Sequence, residues 1–284
     1  MKPFAARVSR PPAMSCARTD TLDLFLCRSN SSWDPALLHR YKALLDANEC
    51  LRLSRYRFEQ ERRTFLISHA LVRAALSQFV DIPPYAWRFR KSCHGRPEID
   101  NENPLRLRFS LSHTSDLVAC VVTRNIEVGV DTEIRQDFAD VLAIAERFFA
   151  PPEVSALRAL PIEKQIDRFY STWTLKEAYA KARGLGLSLP LNCARFQVAE
   201  DLIEAKLESE TADQENAWAF GLMRPTARHW LAIAALVGSA VLPQIRTQWL
   251  VPLSTSNEAS PCPIVAATRL SSETQSKNGP PQHL

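Results

Sequence analysis

The chain has 284 residues, 46% of them hydrophobic, and 35 Lys and Arg stand against 31 Asp and Glu for a formal net charge of +4. That is enough apolar material to bury a sizeable core, in one large domain or two small ones, while so small a basic excess does not by itself mark a nucleic-acid-binding surface. The 7 cysteines, at 16, 27, 50, 93, 120, 193 and 262, show no Cys-x-x-Cys spacing and no grouping with His, so neither a zinc site nor a disulfide scaffold is indicated and a reducing cytoplasmic setting fits.

Residues 1–18 are basic, lack acids and carry Pro3, Pro11 and Pro12, so they read as a disordered leader. Residues 34–45 and 59–79 read as helices, the second with Phe65, His69, Val72 and Leu76 along one face. Residues 105–122 read as two short strands broken at 112–116, and Val128 and Val130 favour an extended chain after them. Helices are expected over 141–149 and 163–183, and strands over 196–198, 218–223 and 230–237. No apolar stretch reaches the roughly 20 residues that a bilayer requires, so no membrane partner is expected. After Leu253 the chain turns to Ser, Thr, Pro, Asn and Gln, the composition of a disordered tail spanning 253–284. Helices and strands recur in similar order on both sides of about Asn125. They predict an α+β protein of two similar halves, 19–125 and 126–252, each a small sheet packed with helices.

Two segments carry chemistry. In Glu127-Val128-Gly129-Val130-Asp131-Thr132-Glu133 the carboxylates of Asp131 and Glu133 are two apart on a strand and so point the same way. In Trp173-Thr174-Leu175-Lys176-Glu177-Ala178-Tyr179-Ala180-Lys181 the residues Trp173, Glu177 and Lys181 recur four apart on one helix face, opposite an apolar stripe of Leu175, Ala178, Tyr179 and Ala182. Three carboxylates without a His or Cys cluster offer hard oxygen ligands, which suit Mg²⁺ shared with substrate phosphates better than zinc. Lys176 and Lys181 beside such an ion would offset charge on phosphate oxygens, so the constellation suits phosphoryl-type transfer. Taken singly, each motif is also an ordinary surface pattern. Of the 7 glycines, Gly95, Gly129, Gly184 and Gly186 fall in or beside these segments, where tight turns or close backbone approach would need them.

Together the motifs resemble those of the 4′-phosphopantetheinyl transferases, in the two-half surfactin-type (Sfp-type) group. Gly95-Arg96-Pro97 is similar to that family's Gly-Lys-Pro turn and Phe109-Ser110-Leu111-Ser112-His113 to its Ser-His motif. Arg147-Phe148-Phe149 and the stretch Gly184-Leu185-Gly186-Leu187-Ser188-Leu189-Pro190 resemble its flanking segments, and the match runs from about Arg52 to Arg195.

The resemblance implies an enzyme that moves the phosphopantetheine arm of coenzyme A onto a serine of an acyl, peptidyl or aryl carrier protein and releases adenosine 3′,5′-bisphosphate. It implies a pseudo-twofold architecture with the active site between the halves, a monomer by default, and a pathway of polyketide or nonribosomal peptide synthesis. By motif position Asp131, Glu133 and Glu177 resemble the Mg²⁺ ligands, Glu177 also the base for the serine proton, and Lys181 the residue that steadies the leaving phosphate. Coenzyme A contacts are expected from Arg57, Arg62, Arg96, Ser112, His113, Asp131, Lys176 and Lys181. Arg96 replaces the family's usual Lys, exchanging a point charge for a planar fork. Ser112 and His113 are adjacent on a strand and face opposite ways, so they cannot form a nucleophile and base pair while the chain stays extended. Residues 138–160 are a candidate surface for docking the carrier, with plain helix packing as the other reading.

Two other functions are open to the same sequence. A basic nucleic-acid-binding module would use the mixture of bases and aromatics from Arg52 to Phe58, but it gives no reason for carboxylates at 131, 133 and 177. A catalytically silent relative that only docks carrier proteins is disfavoured by the presence of Asp131, Glu177, Lys176 and Lys181 together.

Overall fold

From the N-terminus the elements are β1 (Thr21–Arg28), α1 (Pro35–Lys42), α2 (Ala47–Leu53), α3 (Glu59–Leu76), β2 (Phe89–Lys91), β3 (Pro97–Ile99), β4 (Leu107–His113), β5 (Leu117–Arg124) and β6 (Glu127–Ile134). They continue with α4 (Val141–Phe148), α5 (Pro151–Arg158), α6 (Ile162–Arg183), β7 (Ala194–Ala199), β8 (Leu202–Leu207), β9 (Trp218–Thr226), β10 (His229–Leu236), β11 (Gln244–Leu250), β12 (Asn257–Glu258) and β13 (Ile264–Ala267). The computed structural model describes residues 21–29, 34–137, 140–208, 217–254, 257–258 and 262–269. The predicted leader 1–18, the start of the predicted docking segment at Phe138, and most of the predicted tail lie outside these residues.

The architecture is α+β in four layers. A five-stranded sheet ordered β12-β11-β1-β5-β4 lies against a six-stranded sheet ordered β6-β10-β9-β13-β8-β7, and β2 and β3 form a separate hairpin. Alternation assigns each side chain to a layer. Phe25 of β1 and Val118, Cys120 and Val122 of β5 face a core built with α1 and α3, whereas Leu22, Leu24, Leu26, Ala119 and Val121 face the opposing sheet. On β10, Leu231, Ile233 and Ala235 meet the first sheet, and Ala232 and Ala234 meet the core under α4, α5 and α6. Strands covered on both sides read as continuous apolar runs, which is why β1 shows no helix or strand period in the sequence.

The helices start where the sequence can cap them. Asp34 accepts the Ala36 amide, and Asp46 and Glu49 form a reciprocal capping box at 2.8 and 2.9 Å, each such cap being worth about 1 kcal/mol. Helix α6 stops at Gly184, whose φ of 67° is the left-handed conformation that closes a helix C-terminus. At the far side of the second sheet, β7 is an end strand with outward groups at 194, 196 and 198. Side chains seal them: Lys176 donates to Ala194 O, Glu153 accepts the Phe196 amide at 2.8 Å, and Arg168 donates to Val198 O.

Two features depart from the sequence reading. Strand β11, from the segment 126–252, does not join the second sheet but pairs in parallel with β1 of the first, Thr21 opposite Gln244. Disorder from residue 253 onward does not extend to β13, because Ala266 and Ala267 are buried against β9.

The two sheets meet along a seam of end strands, β4 and β6. In place of a main-chain ladder, Ser110 Oγ accepts the Val130 amide at 3.0 Å and Ser112 Oγ accepts the Thr132 amide at 3.2 Å. These hydroxyls satisfy donors that an edge strand would otherwise leave unpaired. A second tie joins the turn after β4 to the start of β10, where Asp116 Oδ1 lies 2.8 Å from His229 Nε2 and Thr226 Oγ1 lies 2.7 Å from His229 Nδ1.

Candidate active site

Strand β6 and helix α6 pass each other in opposite directions, and three successive contacts define the site. Gly129 faces Ala178 and Ala182, Asp131 meets Lys181, and Glu133 meets Trp173. The first contact permits the other two. A Cβ on Gly129 would lie 2.0 Å from Ala178 O and 2.4 Å from Ala182 N, so only glycine lets the helix axis come this close to the strand.

Lys181 Nζ then donates to Asp131 Oδ1 at 2.7 Å and to Ser112 Oγ at 2.8 Å. Ser112 Oγ in turn donates to Asp131 Oδ1 at 3.0 Å. Trp173 Nε1 donates to Glu133 Oε1 at 3.2 Å. Ser112 and Asp131 are buried, and Glu133, Glu177 and Lys181 are half-buried. Four expected residues thus converge with Ser112: Asp131 and Glu133 from β6, Glu177 and Lys181 from α6.

Among the described residues the electrostatics are those of an acidic site with Lys181 as its cation. Burial, reinforced by the neighbouring Asp131 charge, pushes Glu133 up to about 7 although Lys181 and the indole hydrogen bond pull it down. Glu177 is also raised, by burial first and then by Asp131, again opposed by Lys181. His113, at the end of β4, stays partly open to solvent, yet packing around its ring lowers its pKa and the Lys181 ammonium lowers it further.

Among the described residues no three His, Cys, Asp or Glu side chains are grouped so that they could together hold a metal ion. The donor chemistry nevertheless fits a hard divalent cation: Asp131 Oδ2 is buried with no hydrogen-bond partner among the described residues, and two half-buried carboxyls beside it are raised in pKa by burial and by the Asp131 charge.

Other expected residues are placed differently. Lys176 follows Trp173 and precedes Glu177 in sequence, yet adjacent helical residues do not share a face. Its side chain is 0% exposed, 2.7 Å from Glu153 Oε2 and 3.0 Å from Leu191 O. Burial lowers its pKa against the pull of Glu153. The expected contact of Lys176 with coenzyme A does not fit this placement, because the side chain is enclosed under α5 and β7. Arg96 is also engaged within the protein, with Glu127, Val128 and Ala182, which argues against the expected contact with coenzyme A.

Arg57 and Arg62 are exposed just before and within the first turns of α3, where Arg62 Nη2 donates to Arg57 O at 3.1 Å. Gln60 donates to Ser115 O, which sets this end of α3 beside the turn that follows His113. No contact among the described residues joins either arginine to the Asp131 cluster.

The sequence reading assigned no role to Trp173, Ser110 or Glu127. Trp173 was findable, since it lies four residues before Glu177 on the same face. Ser110 was findable as the strand neighbour, two residues away, of Ser112.

The chain matches the 4′-phosphopantetheinyl transferase superfamily over residues 127–234 and the N-terminal region of 4′-phosphopantetheinyl transferases over residues 31–125. It is 34% identical over 147 residues to the 4′-phosphopantetheinyl transferase HetI of Nostoc sp., an alignment covering 51% of this chain and 62% of that one. A Synechocystis sp. protein whose name places it in the same family is 32% identical over 208 residues, covering 71% of this chain and 83% of its own. The 4′-phosphopantetheinyl transferase of Bacillus subtilis is 30% identical over 162 residues, covering 57% and 70%. The chain belongs to the 4′-phosphopantetheinyl transferase superfamily. No helix among the described residues is long and apolar enough to cross a membrane.

Proposed function

We propose that the protein transfers the 4′-phosphopantetheine arm of coenzyme A to a serine hydroxyl of an acyl or peptidyl carrier protein. The observation that carries the reading is the meeting of Asp131, Glu133 and Glu177 around Lys181 and Ser112, in segments matched by the family. The carrier serine oxygen bonds to the phosphorus that bears the pantetheine arm, the pyrophosphate bond to the nucleotide breaks, and adenosine 3′,5′-bisphosphate leaves.

Each residue has a part in that exchange. Glu177, with its raised pKa, takes the serine proton. Lys181 offsets charge on the leaving phosphate, and Ser112 and His113 at the end of β4 hold the phosphates by hydroxyl, imidazole and main-chain N–H. Arg57 and Arg62 meet the nucleotide from the solvent side. Asp131, Glu133 and Glu177 would hold Mg²⁺, which when bound supplies charge neutralisation for the pyrophosphate. An acidic carrier would be drawn to a chain of net charge +4, and residues 140–160 are the described part of the proposed docking surface. Polyketide or nonribosomal peptide carriers, a monomeric state and a cytoplasmic location complete the reading.

The test is mass spectrometry of an apo carrier protein incubated with the enzyme, coenzyme A and Mg²⁺. Addition of the phosphopantetheine mass to the carrier serine is the expected result. An unmodified carrier across acyl, peptidyl and aryl types would overturn it.

A further inference from the structure

Arg96 sits on the β2–β3 hairpin of the first half, and all its guanidinium contacts reach elements of the second. Nη1 donates to Glu127 Oε2 at 3.0 Å and to Ala182 O at 3.1 Å, and Nη2 donates to Val128 O at 3.3 Å. Glu127 is held in place from its other oxygen by Arg108 Nη1 at 2.8 Å. The stem also packs on the helix stop: a Cβ on Gly184 would lie 3.2 Å from Arg96 Cδ.

These partners are the flanks of the site. Val128 precedes Asp131 by three residues on β6, and Ala182 directly follows Lys181 on α6. The carbonyl of Ala182 is one of the last four of its helix and has no acceptor role inside it, so a cation there satisfies an orphan group and complements the negative end of the helix dipole. The planar fork of Arg96 spreads its donors over a strand carbonyl, a helix carbonyl and a carboxylate from two separate nitrogens, whereas a lysine ammonium is a single point charge.

We infer that Arg96 is a positioning residue, a clasp that fixes the end of α6 against the start of β6 and thereby sets Lys181 against Asp131, and that it is not a ligand of the coenzyme A 3′-phosphate. The inference rests on the proposed transfer activity for its kinetic test and on geometry alone for its structural one.

The experiment compares wild type, Arg96→Lys and Arg96→Ala by steady-state transfer with coenzyme A and with dephospho-coenzyme A, which lacks the 3′-phosphate. Amide hydrogen exchange over residues 176–184 is followed without substrate. For both variants kcat should fall by about tenfold or more with either donor, while both KM values stay within about twofold of wild type. Exchange at the end of α6 should quicken in both. A KM that rises for coenzyme A and not for dephospho-coenzyme A, with exchange unchanged, would overturn the clasp and return Arg96 to the phosphate. Should wild type transfer nothing, the functional reading fails while the exchange arm still decides the clasp.

Discussion

Replacing Gly129 by Ala isolates the contact on which the site geometry depends. The new methyl would begin 2.0 Å from Ala178 O, and ordinary contact begins at 3.4 Å, so strand and helix must separate by about 1.4 Å. The atoms in the way are main chain, so no rotamer change relieves them. Gly129 has no left-handed φ, and an alanine there is favoured by about 0.5–1 kcal/mol of backbone entropy, which leaves the steric effect as the only penalty. Overpacking of this kind costs about 1–3 kcal/mol, or roughly 5 °C in melting temperature for a chain of this size. The functional effect should be larger: a shift of that size carries Lys181 out of hydrogen-bond reach of Asp131, now at 2.7 Å, and a misplacement near 1 Å costs about 100-fold in rate. Thermal melts and carrier-transfer kinetics on the same preparation measure both. A variant with wild-type melting and wild-type kcat would refute the reasoning.

Three further outcomes follow from the site. Glu177→Gln should nearly abolish transfer while the fold persists, since an amide replaces neither the base nor a metal-ligating carboxylate; near-normal turnover at saturating Mg²⁺ would contradict it. Glu133, at about 7 in the folded chain against an ordinary 4.5, binds more protons folded than unfolded between those values. Its stabilising contribution is therefore full below pH 4.5 and is lost as pH rises through 7, by at most about 3 kcal/mol. Urea melts of the ligand-free protein should show a steeper loss over that window in wild type than in Glu133→Gln, and parallel profiles would exclude the effect. Lys176→Met should strand the Glu153 carboxylate, which is 6% exposed, and destabilise the fold by about 3–5 kcal/mol. The KM for coenzyme A of the folded fraction should not change, and normal melting with a raised KM would reverse the assignment.

Much of the site was legible because its two segments carry different periods. Asp131 and Glu133 alternate with Val130 and Thr132 on a strand, and Trp173, Glu177 and Lys181 repeat at four on a helix, so each set had to share a face. What the sequence left undecided was which of several nearby cations turns inward to the site. Lys176 and Lys181 look alike in a linear motif. The difference comes from Glu153, on a helix that begins at a Pro-Pro pair and was not anticipated. Arg96 likewise depends on a carbonyl 86 residues away. In the fold, amphipathic helices α3 and α6 were readable, whereas β1 was not, being apolar on both faces. Helix α2 was missed for its length of 7 residues, although its Asp46 and Glu49 cap pair is visible in the sequence.

The pairing of β1 with β11 constrains how the protein is made. Residue 21 leaves the ribosome long before residue 244, so through most of synthesis the strand that centres the first sheet has one flank of open amides. Segments bearing Asp131 and Lys181 are complete well before that flank closes, and the first sheet takes its closing strand from the second half of the chain. A fragment ending near residue 125 would lack β11 and β12 and carry an unfinished first sheet, whereas all six strands of the second sheet follow that point, so the first sheet depends on a contact more than two hundred residues apart in sequence.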